Sequence, residues 1–347
     1  MRICLIASSQ FPIAEPFAGG LEAHTHAMAR ALTRRGHEIT LFAAAGSDPQ
    51  LGARAILPQA FSSSEAARRD LSAAPDQWMS QHHAYLGLML KLARERRFTV
   101  IHNNCLHHLP LAMSELLPAP LVTTLHTPPT PWLESAARYA ASSSSFAAVS
   151  RATAEAWRHS VRARVIPNGV DISQWPAGPG GKSAVWSGRI APEKAPHLAI
   201  DAAHAAGMSI ALAGPVMDAS YFEQQLLPRL GSDAIYHGHL RHRELTELVG
   251  AAAVAVVSPQ WEEPYGLVAA EAMACGTPVA AFRRGGLAEI VTPASGALAA
   301  EDSVPALTEA ILQARGLSRA EVRSYAAAEL SLDRMVSDYE QLYEAIA

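Results

Sequence analysis

Lysine is almost missing from this chain: of 28 basic residues only Lys91, Lys182 and Lys194 are lysines, so a lysine beside a candidate site stands out. Cysteine is scarce too. Cys4, Cys105 and Cys275 are an odd, scattered set, which excludes a disulfide framework or a zinc ribbon and fits a reducing compartment. No apolar run reaches the roughly eighteen residues of a spanning helix. The opening Ile3–Ala7 run is too short for a signal-peptide core. A cytoplasmic location is therefore expected. The chain contains no Asp-x-Asp, no Gly-x-Gly-x-x-Gly and no His-Glu-x-x-His. These absences argue against a metal-bridged diphosphate of the Asp-x-Asp kind, a dinucleotide fingerprint and a zincin site. With a net charge of -4 and pI near 6.4, a general nucleic-acid binder is excluded, and 49% hydrophobic residues exclude an extended disordered chain.

What is present divides in two. Length alone, 347 residues, calls for two domains. Up to Asn168 there are 16 basic against 11 acidic residues, and beyond it 12 against 21. A basic half and an acidic half fit modules with separate jobs. Pro167-Asn168-Gly169 is turn chemistry, and Pro176 to Gly181 reads as a linker. The expected organisation is residues 1–168, a linker at 169–182, a second domain at 183–330, and a last helix at 331–347. In both halves short apolar runs alternate with helical segments. The first half offers strands at Arg2–Ala7, His37–Ala43, Val100–His102, Leu121–Leu125, Phe146–Val149 and Arg164–Ile166. The second restarts at Ala184–Ser187 and continues through Ser209–Ala213, Ala234–His237, Ala253–Ser258 and Pro278–Ala281. That alternation predicts an α/β fold of two doubly wound, Rossmann-like parallel-sheet domains facing a cleft.

The strongest chemical signal runs from Ser258 to Glu289. Glu263 and Glu271 have seven residues between them, with Pro264 where a helix is expected to begin and Gly276 and Pro278 where it stops. If both were helical, their α-carbons would lie about 12 Å apart and roughly 80° around the axis. That separation suits the two ends of one elongated ligand better than a single bond. The amides of Tyr265, Gly266, Leu267 and Val268 at the helix start make an anion site. Read alone, Glu263 caps a helix and Glu271 is a solvated side chain. However, Ala269, Ala270, Ala272, Met273 and Ala274 surround Glu271 with apolar neighbours, so its carboxylate needs a partner.

A second stretch, Ser187-Gly188-Arg189 through Lys194, follows the first strand of the second half, where open α/β sheets collect ligands. Arg189 and Lys194 can neutralise a diphosphate, although Arg189 paired with Glu193 is the plainer alternative. Gly19-Gly20, between the first strand and its helix, lets backbone amides approach an anion closely. His126 follows a strand and would face the cleft, where a neutral imidazole can bond a sugar hydroxyl. Fifteen histidines invite a zinc reading through His24, His26, His107, His108 and His126, but no helix-spaced pair with an acidic partner supports it, and no metal site is expected. Loops over 61–83, with Trp78, His82 and His83, are the expected place for acceptor contacts.

These stretches together resemble the family-4 glycosyltransferases, retaining enzymes of the GT-B fold, and within them the branch typified by the avilamycin-pathway sugar transferase. The resemblance spans nearly the whole chain. It is carried by Gly19-Gly20-Leu21-Glu22, Arg34–Ala43, Val165–Asp171, Ser187–Ile200, Leu212–Pro215 and the Glu263…Glu271 block, which matches the family's E-x7-E signature. By that match Arg189 and Lys194 would hold the donor diphosphate and Glu263 the donor sugar's hydroxyls. Glu271 would hold the ribose, with amides at Gly266 to Val268 on sugar and phosphate oxygens. His126 would sit at the reacting face, Gly188 and Gly19-Gly20 would line the diphosphate, and the base would lie near Gly238-His239-Leu240. Tyr265 replaces the branch's usual phenylalanine, and its hydroxyl offers a further contact. The last helix would cross back to the first domain. The implied activity is retaining, metal-independent transfer from a UDP- or GDP-sugar to a hydroxyl acceptor, with no cofactor beyond the donor. Alternatives from other classes are a nucleotide-sugar epimerase on the same fold and a non-catalytic sugar-nucleotide-binding protein. The basic first half also raises a weak peripheral membrane contact through Arg34-Arg35 and Arg94, Arg96 and Arg97, although arginines at helix ends also complement the dipole.

Overall fold

The computed structural model describes residues 1–56 and 61–347. The first sheet has seven parallel strands: β1 (Arg2–Ile6), β2 (Glu38–Ala43), β3 (Arg54–Ala55), β4 (Val100–Asn103), β5 (Leu121–Leu125), β6 (Ser145–Ala148) and β7 (Ala163–Val165), in the order β3-β2-β1-β4-β5-β6-β7. The second has six: β8 (Ala184–Ser187), β9 (Ile210–Ala213), β10 (Ala234–Tyr236), β11 (Val254–Val257), β12 (Val279–Ala281) and β13 (Gly296–Leu298), in the order β10-β9-β8-β11-β12-β13. Helices cover both faces, which is why β4 and β5 are buried at every position and why β1 reads as a short apolar run rather than an alternating one. Each sheet reverses its winding once, between β1 and β4 and between β8 and β11. A crevice opens at the carboxyl ends of such a pair, so each domain offers a ligand site there by topology alone.

Three helices position the site: α1 (Gly20–Arg34) follows β1, α2 (Leu267–Ala274) follows β11, and α3 (Leu332–Ile346) ends the chain. The α3 helix lies on the first domain. Its Met335, Val336, Tyr339 and Tyr343 join Ile3, Leu5, Met28 and Leu32 in one core. Burying both tyrosines is possible because their hydroxyls are satisfied. Tyr343 pairs with His102 Nδ1 at 2.6 Å, and Tyr339 with Thr124 Oγ1 at 2.9 Å. Outside, Arg35 reaches Glu340 at 2.6 Å and Asp333 at 3.2 Å. The linker is clamped by arginines of the helix Arg319–Glu329, which precedes α3: Arg323 donates to the carbonyls of Trp175, Ile172 and Ala274, and Arg319 to those of Gly178, Gly250, Ala252 and Cys275. Two of these acceptors are orphan carbonyls at the C-terminus of α2, so the same cations tie the linker to the helix that carries Glu271.

The structure differs from the sequence expectation in several places. The segment expected as acceptor loop over 61–83 is helical from Asp76 onward, through Leu92, and Trp78, His82 and His83 lie on that helix. Ala84, Tyr85, Leu88, Met89 and Leu92 recur at helical spacing and bury its inner face. Residues 219–229, between β9 and β10, form three short turns of different pitch rather than one helix, the last carrying Pro228, which has no amide to continue the ladder. The helix expected to begin near Pro264 begins at Leu267, so Glu263 stands outside it and helical spacing does not apply to the glutamate pair. Strands β3 and β13 and the helices Val304–Ala314 and Arg319–Glu329 complete elements that the reading left unassigned.

Candidate active site between the two sheets

A cleft with a volume of about 660 Å³ runs between the carboxyl ends of the two sheets. Its second-domain wall grows from two turns. After β8 the chain passes through Gly188 at φ +154 and reaches Arg189, and the neighbouring Gly214 must also be glycine, because a Cβ there would lie 1.7 Å from the Gly188 carbonyl oxygen. This close backbone crossing leaves Arg189 at the rim, 38% exposed and 3.6 Å from Glu193. An exposed pair of that length contributes little to stability and leaves the guanidinium available to a ligand.

After β11 the chain runs to Glu263 and then enters α2 through Gly266 at φ +98, where a Cβ would come 2.5 Å from the Leu287 side chain. Only glycine enters this turn without strain. The first hydrogen bonds of α2 are those from Ala269 and Ala270 to the Gly266 carbonyl, and the amides of Leu267 and Val268 are the free donors of the helix start. Lys194 donates to Glu263 Oε2 at 2.6 Å and lies 4.8 Å from the centroid of the Trp261 ring. The Trp261 indole N–H donates to the same carboxylate oxygen at 3.0 Å. A scarce lysine, a glutamate and a tryptophan thus form one half-buried unit. Glu271 lines the cleft from α2 without an ion-pair partner among the described residues, and burial pushes its carboxyl up to about 8.

The first-domain wall meets this one closely. A Cβ at Gly19 would lie 3.6 Å from Arg189 Cδ, and one at Gly20 would lie 3.2 Å from Leu267 Cδ1. The two glycines therefore let α1 begin within contact distance of the cation and of the free amides. His239 Nε2 donates to the Phe17 carbonyl at 2.9 Å, and Thr153 Oγ1 to the Pro264 carbonyl at 3.2 Å, so the two domains close on each other at both ends of the cleft. Leu240 also lines the cleft, beside His239. His126 donates through Nε2 to Asn104 Oδ1 at 3.0 Å, and burial holds it well below the ordinary histidine range, so it is neutral. Tyr265 borders the cleft, but its ring is packed into the second-domain core and its hydroxyl is buried without a partner among the described residues.

Three groups to which the sequence reading gave no donor-site role belong to the same place. Glu22, in the first turn of α1, is 5% exposed; burial raises its carboxyl and the nearby Arg189 opposes that rise. His24 packs edge-on against His126 with ring centroids 5.1 Å apart, and burial lowers it to about 4. Asn104, fully buried one residue past β4, orients His126. Glu22 had a signal, because it adjoins the glycine pair in the first turn of a predicted helix. Asn104 becomes visible only when β4 and β5 are known to be neighbours, which sets it beside His126.

Comparison with known proteins agrees with this architecture. Residues 18–174 match the model described as Glycosyltransferase Family 4, and residues 171–327 match Glycosyl transferases group 1. The chain is 28% identical over 346 residues to a glycogen synthase of Mycobacterium tuberculosis, covering 84% of this chain and 80% of that one. Among solved structures, AviGT4, a glycosyltransferase involved in avilamycin A biosynthesis, superposes with a TM-score of 0.73 at 21% identity, covering 99% of this chain and 97% of that one. Anabaena Alr3699/HepE, solved in complex with UDP and glucose, gives 0.77 at 19% identity, covering 99% and 100%. No helix of the described residues is long and apolar enough to cross a membrane. Two adjoining glycosyltransferase models over most of its length, on two facing parallel sheets, place this chain in the glycosyltransferase family with the GT-B fold.

Proposed function

We propose that the chain transfers a sugar from a nucleoside diphosphate sugar, UDP- or GDP-linked, to a hydroxyl acceptor with retention at the anomeric carbon and without a metal. The observation that carries this reading is the convergence on one spot of Arg189, Lys194, the free amides of Leu267 and Val268, and the Gly19-Gly20 turn. Each is a feature that an anion uses. The Anabaena structure bound to UDP and glucose supports a uridine donor by analogy of fold.

In this reading the bond between the anomeric carbon and the diphosphate oxygen breaks as negative charge gathers on that oxygen, beside Arg189 and Lys194. The leaving oxygen accepts the acceptor hydroxyl's proton while the new C–O bond forms on the same face. No side-chain nucleophile enters. Lys194 exchanges part of its Glu263 contact for phosphate, and Glu263 keeps its Trp261 bond and turns to the sugar hydroxyls. Glu271 receives the ribose hydroxyls, with the base near Leu240 and His239. Neutral His126, fixed by Asn104, bonds a hydroxyl near the reacting carbon. Metal independence is supported by cations that the chain itself supplies. The test is a donor screen reading nucleotide release, followed by NMR of the product's anomeric coupling. Inversion overturns the stereochemical part; loss of turnover in EDTA with recovery on magnesium overturns metal independence; interconversion of free donor without acceptor reveals an epimerase. Tight donor binding without transfer or hydrolysis reveals a binding protein.

A further inference from the structure

Opposite the cations, the first-domain wall of the cleft is built from aromatic and imidazole rings. Tyr85 stacks on His107 with centroids 4.4 Å apart and planes 22° from parallel. His107 stacks on His108 at 4.4 Å and 23°, and His108 on Trp132 at 5.0 Å and 25°. Beside this column Trp78 lies flat on His82 at 5.1 Å and 11°, and tilts toward Trp132 at 5.9 Å. The inner end of the column is fixed to the sheet, since the Tyr85 hydroxyl donates to the Ala7 carbonyl at 2.8 Å and accepts from the Ser9 amide at 3.0 Å. The outer end is open, with Trp132 59% exposed.

His82, His107 and His108 bring ring nitrogens within 4.8 Å of one another, which is a geometry open to a metal ion. Proton placement argues against one. The Leu109 amide donates to His107 Nδ1 at 3.2 Å, so in the neutral ring that nitrogen's lone pair is used and Nε2 carries the hydrogen. Burial pushes His107 down to about 3, which keeps the ring neutral. A nitrogen bearing hydrogen is a donor and not a metal ligand. Among the described residues His107 Nε2 is buried with no hydrogen-bond partner, and His82 Nδ1 is in the same condition. A buried N–H among flat rings lacks an oxygen acceptor. No lysine or arginine belongs to the ring column or to the Trp78–His82 pair beside it; the first-domain cations that line the cleft, Arg30 and Arg34, lie on α1, so the column itself offers no cation to a phosphate or carboxylate.

We propose that this wall is the acceptor subsite, and that it takes an uncharged acceptor which lays a flat apolar face on Trp132 and Trp78 and offers an oxygen to His107 Nε2–H. The proposal rests on the nucleotide-sugar reading for what the acceptor receives, but the binding it describes is measurable separately. Calorimetric titration of the full chain with 4-nitrophenyl β-D-glucopyranoside and with 4-nitrophenyl phosphate compares a neutral and a dianionic probe sharing one ring. The glucoside is expected to bind about tenfold tighter or better. Trp132→Ala, at an exposed position, and His107→Phe, which keeps a ring in the stack but removes the donor, should each weaken glucoside binding about tenfold. Circular dichroism confirms that both variants fold. No heat with the glucoside, equal binding of the two probes, or unchanged affinity in both folded variants overturns the proposal. So does one equivalent of zinc bound by the wild type and lost in His82→Ala, which assigns the cluster to a metal. A UDP titration of the wild type separates the two readings: glucoside binding without UDP binding removes the proposed function and leaves this subsite, and the converse removes the subsite alone.

Discussion

The two walls of the cleft solve opposite problems. The second-domain wall keeps its charges paired with one another: Lys194 holds Glu263 at 2.6 Å and Arg189 leans on Glu193 at 3.6 Å. The first-domain wall keeps neutral rings stacked and leaves buried nitrogens of His82 and His107 unpaired among the described residues. The contrast has a physical origin. A charge withdrawn from water needs a counter-ion while it waits, so a site for an anion holds its cations against carboxylates that the ligand partly displaces. A neutral N–H can wait unpaired at far lower cost. One wall is therefore set to exchange partners and the other to gain one.

The largest effect that would sharpen this contrast is on turnover. Lys194→Ala and Arg189→Ala are each expected to lose about 10²–10³ in kcat, the usual consequence of removing one preorganised contact to developing charge. Losses of only a few-fold in steady-state assays would break the assignment of the charged wall. Next is Glu271→Gln, which should weaken donor affinity up to about tenfold through one hydrogen bond of the neutral carboxyl to the ribose hydroxyls. The same variant should gain stability at alkaline pH. The folded-state carboxyl is raised to about 8, so between its ordinary value and 8 the native protein holds more protons than the unfolded chain, and stability falls as pH rises. The gain in Tm over the wild type should be full near pH 9 and vanish near pH 4.5, and a gain independent of pH would show that this carboxyl is not held protonated.

Gly266→Ala tests the backbone that aims the free amides. Its φ of +98 and the 2.5 Å approach to Leu287 predict a loss of about 1–3 kcal/mol, read as a fall in denaturation midpoint. An unchanged midpoint would mean that the turn relaxes freely. The smallest effect concerns anionic vesicles. Arg34, Arg35 and Arg97 are paired with Asp171, Glu340 and Glu95. Any contact then depends on Arg94 and Arg96, and flotation should be weak, lost at high salt and absent in Arg94→Glu. Flotation that ignores salt and this substitution retires an electrostatic contact.

Much of the fold was legible because parallel strands covered on both faces tend to be short and largely apolar, and β1 and β11 were readable for that reason. The second-domain side of the cleft was legible because turn chemistry is local: Gly188, Gly266 and Pro264 announce where strands hand over to helices. The glutamate pair was readable as a pair but not in its geometry, since the sequence cannot show that the Gly266 turn delays α2 to Leu267. The ring-lined first-domain side was the least legible. Trp78 and His82 looked like loop residues because the buried stripe that makes 76–92 a helix lies mostly beyond them, at Ala84 to Leu92.

By itself the sequence determined two parallel-sheet domains, their order, the linker, and the positions where backbone amides and cations collect after strands. These follow from periodicity and turn preferences that act over a few residues. Only the tertiary structure decided what faces what: that Gly19 meets Arg189, that Asn104 orients His126, that Arg319 and Arg323 fasten the linker to α2, and that Tyr85, His107, His108 and Trp132 form one column. Those contacts join residues tens to hundreds of positions apart. They are fixed by sheet order and domain closure, which no local pattern encodes.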